Sequence, residues 1–190
     1  MMQFFNQHNN EKTEIKHFVF CPYCGDKLSA GSVGTCDVCG FKQYENPLLG
    51  VSILISNFEN NVLVGRRKGK KDSWCLPCGY IETSENFLIA AHREVEEETG
   101  LEIIIDSIIN VVSNMITPNL ETLVVVLLAS VAKGVLNPGD DITELIWIDS
   151  ADIPSLAFKA DEYIIKKYFQ GGLEKLGVDP RYAQGSEPLR

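Results

Sequence analysis

No apolar run in this chain is long enough to cross a membrane. The longest, LVVVLLASVA from Leu123, is about half of what a bilayer requires. No basic segment followed by an apolar one stands near the start, where MMQFFNQHNNEKTEIK is mostly polar, so a secretory leader is not expected. Positive charge is also scarce. Seventeen Lys and Arg stand against 26 Asp and Glu, and the net charge of −9 argues against general binding to nucleic-acid backbones. Internal repeats are absent. These absences lead us to expect a cytoplasmic location and no membrane partner; a homodimer is left open.

What is present is ordinary globular material, 45% hydrophobic and 23% charged over 190 residues. That suffices for one medium domain with a small appendage. A reducing cytosol also suits thiols that ligate metal rather than pair as structural disulfides.

The most informative stretch is GYIETSENFLIAAHREVEEETGL, from Gly79 to Leu101. Residues 85–99 contain no Gly or Pro, and Phe87, Leu88, Ala91 and Val95 recur at helical spacing. This predicts a helix with one apolar stripe, capped by Thr83 or Ser84 before it and Gly100 after it. Glu94, Glu97 and Glu98 then share one helix face. Like charges so placed repel by roughly 0.2–0.5 kcal/mol per pair, and Arg93 offsets only part of this. A divalent cation offsets more, because carboxylate oxygens are what Mg²⁺ takes in phosphate chemistry. A bare acidic run can equally be a solvated face. The glycines and Glu85 in register favour a metal site.

Gly79, Glu85, Arg93, Glu94, Val95, Glu97, Glu98, Gly100 and Leu101 match the box G-x5-E-x7-R-E-U-x-E-E-x-G-U (U aliphatic) without a departure. The chain thereby resembles the Nudix hydrolases, which cleave a nucleoside diphosphate linked to another moiety. The resemblance implies an α/β/α sandwich with a mixed β-sheet. It also implies catalytic Mg²⁺ (or Mn²⁺) held by Glu94, Glu97, Glu98 and the Gly79 carbonyl, with Arg93 pairing the glutamates and Glu85 bracing Arg93. The general base varies in this family; Glu98, Glu121, Asp141 and Glu144 are the candidates.

Cys21 and Cys24 stand in CPYCG, Cys36 and Cys39 in CDVCG, with eleven residues between the pairs. Each glycine permits a tight turn that aims two sulfurs at one ion. The pattern resembles a zinc ribbon, and four protein ligands leave no open position, so structural Zn²⁺ is expected. Iron in a rubredoxin-like site is the chemical alternative. Lys27 and Lys42 are balanced by Asp26 and Asp37, so the ribbon carries no basic stripe for nucleic acid.

Trp74-Cys75-Leu76-Pro77-Cys78 looks like the WC-x-PC of thioredoxin. There the first cysteine is activated at a helix N-terminus. Here the motif runs into Gly79-Tyr80-Ile81-Glu82, a strand or turn with acidic neighbours, and Cys78 stands where Nudix proteins usually carry a glycine. Plain buried cysteines, redox tuning of a hydrolase and a thiol oxidoreductase are the readings, in descending order.

Along the chain we expect a flexible tail over 1–16, a zinc ribbon over 17–45, a hydrolase domain over 46–170 and an extension over 171–190. Strands are expected over 48–58, 62–66, 101–113, 121–131 and 145–148, and a helix over 161–169. The basic loop Arg66-Arg67-Lys68-Gly69-Lys70-Lys71 is either a solvated turn or a clamp for substrate phosphates. Arg66, Arg67, Trp74, Tyr80 and Glu144 are the candidate substrate contacts, with Phe58 and Phe158 as further rings able to stack on a base.

A ribbon followed by this box resembles the NADH pyrophosphatases. Their S-Q-P-W-P-F-P-x-S motif is matched here only by Ser113 and Pro118. ADP-ribose pyrophosphatases carry a proline fifteen or sixteen residues beyond the box, and Pro118 lies seventeen beyond Leu101. A nucleotide-type small molecule such as ADP-ribose, NADH or FAD is the expected substrate. An RNA-cap hydrolase and a nucleotide-sensing binding protein are the other classes.

Overall fold

A computed structural model of the chain describes residues 1–6, 19–28, 34–44, 46–69, 73–117 and 120–184. Its strands are β1 (Phe4–Asn6), β2 (Leu48–Ser56), β3 (Val62–Arg67), β4 (Trp74–Cys75), β5 (Cys78–Tyr80), β6 (Leu101–Thr117), β7 (Leu120–Gly134), β8 (Ile142–Ile148) and β9 (Leu176–Gly177). Helix α1 (Phe87–Thr99) lies between β5 and β6, and α2 (Lys159–Phe169) between β8 and β9. All nine strands join one sheet in the order β1-β6-β7-β2-β3-β4, with β5 on β2, β8 on β3 and β9 on β6. The sheet is mixed: β1 runs parallel to β6 and β2 parallel to β7.

Strand β2 shows why the sheet has two covered faces. Val51, Ile53 and Ile55 point one way and Leu54 the other, and all four are fully buried. The first set packs with Leu88, Ala91 and Val95 of α1; Leu54 packs with Ile164 and Ile165 of α2. The result is an α/β/α sandwich whose core is two apolar layers.

Helix α1 starts later than its sequence suggests. Asn86, not Thr83 or Ser84, is the cap, its Oδ1 accepting from the N–H groups of Leu88 (3.0 Å) and Ile89 (3.1 Å). Ser84 instead takes the left-handed conformation (φ 71°) in a turn where Glu82 N–H donates to Glu85 Oε2 at 2.9 Å. At the other end Gly100 is left-handed (φ 69°) and donates to Glu96 O.

Described residues near both ends of the chain join the sheet. Phe4–Asn6 is a parallel partner of β6, and Phe5 is buried in the α2-side core. Two adjacent phenylalanines in a polar stretch explain this. Residues 7–16 lie outside the described set. Beyond α2, β9 pairs with β6, Tyr182 packs on the α1-side core, and Ile105 N–H donates to Ala183 O at 2.9 Å. Strands β6 and β7 run on to Thr117 and from Leu120, so the hairpin is longer than its apolar residues alone indicate. Pro118, Asn119, Lys70 and Lys71 lie outside the described residues.

Candidate active site

A cavity of about 630 Å³ opens where the last turns of α1 meet β5 and the start of α2. Glu94, Glu97 and Glu98 reach it from α1, Cys78, Gly79 and Tyr80 from β5, and Arg67 from β3. Asp140 and Asp141 enter from the turn before β8, and Phe158 and Asp161 from the start of α2. That turn is held against the end of α1: Asn137 N–H donates to Thr99 O (2.9 Å) and Gly139 N–H to Glu98 O (3.1 Å). It therefore satisfies carbonyls that the helix leaves open, and in doing so delivers two carboxylates to the site.

Arg93 organises the acidic face. Its Nε and Nη2 form a fork on Glu85 (2.9 Å each), Nη1 donates to Glu94 (2.8 Å) and Glu97 (3.1 Å), and Nη2 also reaches Tyr80 O (3.0 Å). A planar guanidinium with five fixed donors is suited to this; an ammonium is not. The fork holds the Glu85 carboxyl below the usual carboxylate range and keeps Arg93 firmly protonated.

Glu98 sits deeper. It is 3% exposed, and its Oε2 accepts from Cys78 N–H at 2.9 Å. Burial, reinforced by Asp141 and Glu94, pushes its carboxyl up to about 9 despite that hydrogen bond. Asp161 is similar: burial lifts it to about 7, against the Leu76 N–H it accepts at 3.1 Å and the nearby charge of Arg67. Glu94 is also raised, by burial first. The cavity thus crowds together carboxyls whose ionised forms a bound cation would favour.

The donor set suits a hard divalent ion, carboxylates with one backbone carbonyl nearby. Gly79 is part of the fit, since a Cβ there would fall 2.0 Å from the Glu94 carboxylate. Only a residue with no side chain lets that glutamate lie against β5. The carboxylates do not draw together as the cysteines do, however. Among the described residues, Cys21, Cys24, Cys36 and Cys39 are the one group whose ligand atoms all lie within 4.8 Å of one another.

These four sulfurs come from two equivalent knuckles. Cys21 N–H bonds Asp26 O and Gly25 N–H bonds Cys21 O; Cys36 with Phe41 and Gly40 repeats the pattern. Gly25 (φ 78°) and Gly40 (φ 72°) turn left-handed to close each one. Tyr23 stacks on Phe41, ring centroids 5.8 Å apart. The Cys21–Cys39 and Cys24–Cys36 sulfurs are 3.7 Å apart, a closed four-thiol cluster that fits zinc.

Several candidate contacts lie elsewhere. Trp74 is 9% exposed and belongs to the α2-side core. Arg66 lies over its ring at 5.6 Å and pairs with Glu144, and none of the three lines the cavity. The β3–β8 register shifts between Arg66 and Arg67, which sends the two neighbouring arginines to different partners. Arg67 does line it, bonded to Asp141 at 3.2 Å and lying 5.2 Å over the Phe158 ring. Tyr80 stands at the mouth, 51% exposed, whereas Phe58 is 94% exposed on a distant hairpin turn. Glu121 is exposed on β7 and outside the cavity. Sequence reading missed Asp140, Asp161 and the polar floor residues Ser52, Asn114 and Thr122. Only a polar residue interrupting an apolar strand, as at Asn114, marks any of them.

Cys75 and Cys78 are free thiols on β4 and β5, not at a helix N-terminus. Cys75 is buried and donates to Gly65 O. The Cys78 thiol is pushed up by its neighbour Cys75, by burial and by Glu98. A thiol held protonated is a poor nucleophile, so Cys78 is not an activated one.

Comparison with known proteins agrees with this geometry. The NUDIX domain family matches residues 46–168. An ADP-ribose pyrophosphatase of Methanocaldococcus jannaschii is 32% identical over 149 residues, covering 77% of this chain and 87% of that protein. An NAD-capped RNA hydrolase NudC of Photobacterium profundum is 23% identical over 155 residues, 77% of this chain but 57% of that protein. Among solved structures, a NUDIX hydrolase from Nitrosomonas europaea superposes with a TM-score of 0.69 at 25% identity, over 80% of this chain and 91% of that one.

Proposed function

This chain belongs to the Nudix hydrolases and is a pyrophosphohydrolase; we propose that it cleaves the pyrophosphate of an ADP-ribose-type nucleoside diphosphate derivative, releasing a nucleoside monophosphate. One observation carries this reading. A single cavity holds the acidic face of α1, an arginine for phosphate and apolar residues such as Val112, Ile116, Val124 and Phe158. The ADP-ribose pyrophosphatase relative, matched over most of its own length, supports the substrate class.

Glu94, Glu97, Glu98 and the Gly79 carbonyl would hold Mg²⁺ or Mn²⁺, which Nudix enzymes generally use. Bound there, the ion neutralises pyrophosphate oxygens and lowers the pKa of a water. The protein's own groups do the rest. Arg93 fixes Glu94 and Glu97 in place through its fork on Glu85. Arg67 presents its guanidinium to phosphate. Glu98 and Asp141, the two base candidates that line the cavity, are placed to take the proton of the attacking water. Burial keeps Glu98 protonated in the metal-free protein, so it would serve as base only after a bound cation had ionised it. The four cysteines hold a structural zinc remote from chemistry, since they leave no open position.

An RNA-cap substrate would need a cationic surface near the box. The net charge of −9 disfavours such a polyanion. The test is incubation with Mg²⁺ and ADP-ribose, NADH, FAD and a capped RNA, with products identified by mass. AMP from ADP-ribose is the expected result. Hydrolysis of the capped RNA alone would replace this substrate class, and no hydrolysis of any member would sink the enzymatic reading.

A further inference from the structure

The cavity extends beyond the glutamates across the α2-side face of the sheet. Its floor there is built from alternate residues of β6 and β7: Val112, Asn114 and Ile116, with Leu120, Thr122 and Val124. Asn114 and Thr122 are direct cross-strand partners. They are 6% and 5% exposed, and Asn114 Nδ2 donates to Thr122 Oγ1 over a long 3.4 Å. Asn114 Oδ1 has no partner. Asn114 lines the cavity, and whichever way round the amide sits, one of its two polar atoms is left unpaired. Ser52, 5% exposed, lines the same cavity from β2, and its Oγ is also without a partner. Unpaired polar groups in an apolar floor weaken a fold, and Leu or Val would serve packing better.

Register places these groups relative to the chemistry. Ser52 lies opposite Cys78 and Gly50 opposite Tyr80, so this part of β2 marks the catalytic end. Thr122 lies opposite Leu48, four residues further along β2, about 13 Å at the rise of a strand. That is the reach of a nucleotide from its phosphate to the far edge of its base. A carboxamide offers a donor and an acceptor side by side, which matches the N6-amino and N7 edge of adenine. The apolar residues flanking Asn114 cover the faces of such a ring.

We propose that Asn114, steadied by Thr122, reads the N6/N7 edge of an adenine base and so sets the nucleoside preference of the enzyme. This rests on the pyrophosphohydrolase reading above and deepens it. The experiment compares kcat/KM for ADP-ribose and its hypoxanthine analogue, IDP-ribose, in the wild type, Asn114→Leu and Thr122→Val, with thermal unfolding of each. The wild type should prefer ADP-ribose by about tenfold to a hundredfold. Asn114→Leu should bring that ratio close to one, chiefly by lowering kcat/KM for ADP-ribose, with no loss of thermal stability. Thr122→Val, which keeps the shape, should reduce the ratio by a smaller factor and serves if Asn114→Leu does not fold. A ratio unchanged in both variants, or a wild type indifferent to the base, overturns the assignment while leaving the enzymatic reading intact. A wild type that hydrolyses neither compound removes the reading beneath it as well.

Discussion

Glu98→Gln separates what a buried carboxylate does for the reaction from what it costs the fold. Burial with Asp141 and Glu94 alongside pushes Glu98 up to about 9, whereas an unfolded chain titrates a glutamate at about 4.3. The folded protein therefore keeps a proton that the unfolded chain releases. Stability must fall as pH rises from the ordinary glutamate range towards 9. At about pH 7.5 the gap already spans roughly three units, an upper bound of about 4 kcal/mol. Glutamine has no proton to lose, keeps the volume, and keeps an oxygen for the Cys78 N–H that now donates at 2.9 Å. The variant should therefore be more stable than the wild type by a few kcal/mol at about pH 7.5 without metal, the difference vanishing below about pH 4.5. Its turnover should fall at least about a hundredfold, roughly 2.7 kcal/mol of barrier. Urea unfolding in EDTA across that pH range and Mg²⁺-dependent release of nucleoside monophosphate read the two effects. Saturating Mg²⁺ should raise the wild type's stability more than the variant's. A variant that unfolds more easily at neutral pH, or turns over normally, refutes the role given to Glu98.

Gly79→Ala puts a methyl 2.0 Å from the Glu94 carboxylate, so Mg²⁺ affinity by calorimetry and turnover should both drop at least about tenfold through displaced ligands. Arg93→Lys brings three donors to five contacts and loses the fork on Glu85; turnover should fall more than about tenfold and stability by about 1–3 kcal/mol in urea unfolding. Asp161→Asn removes a carboxyl that burial lifts to about 7. By the same sign argument it should flatten the pH dependence of stability between about pH 4 and 7, and a variant with the wild-type slope would show that Asp161 does not titrate there. Cys36→Ser should reduce bound zinc, measured by metal analysis, to a small fraction of the wild-type content.

How much of this was legible beforehand depends on how local each feature is. The α1 stripe, the glutamates and the two knuckles are set by spacings of three or four residues, and local geometry delivers them. Even there competition between neighbours matters. Thr83, Ser84 and Asn86 are all good caps, and Asn86 takes the role because Glu82 and Glu85 close a turn around Ser84. Asp161 comes to the cavity because α2 crosses the sheet opposite Leu76, 85 residues earlier. Trp74 read as a stacking ring because nothing local says which face of a two-residue strand is covered. Phe4 and Phe5 read as tail because their partner, β6, lies over a hundred residues away.

Several groups that sit uncomfortably in this fold share one address. Glu98 and Asp161 are carboxyls lifted by burial, Glu94 leaves no room for a Cβ on Gly79, and Asn114 and Ser52 keep unpaired polar atoms. All of them line the same cavity. Ser107 and Asn110 of β6 also keep unpaired buried atoms away from the cavity, so it is the company of lifted carboxyls that marks this place. Selection for stability alone would replace each of these groups, at a gain of about 1–3 kcal/mol apiece. Their concentration in one place argues that they complete their contacts with something that enters it. The two ends ask for different things: the glutamate end for positive charge, the Asn114 end for a neutral hydrogen-bonding edge between apolar walls. A metal-bound pyrophosphate attached to a nucleoside supplies both, in that order, along one molecule.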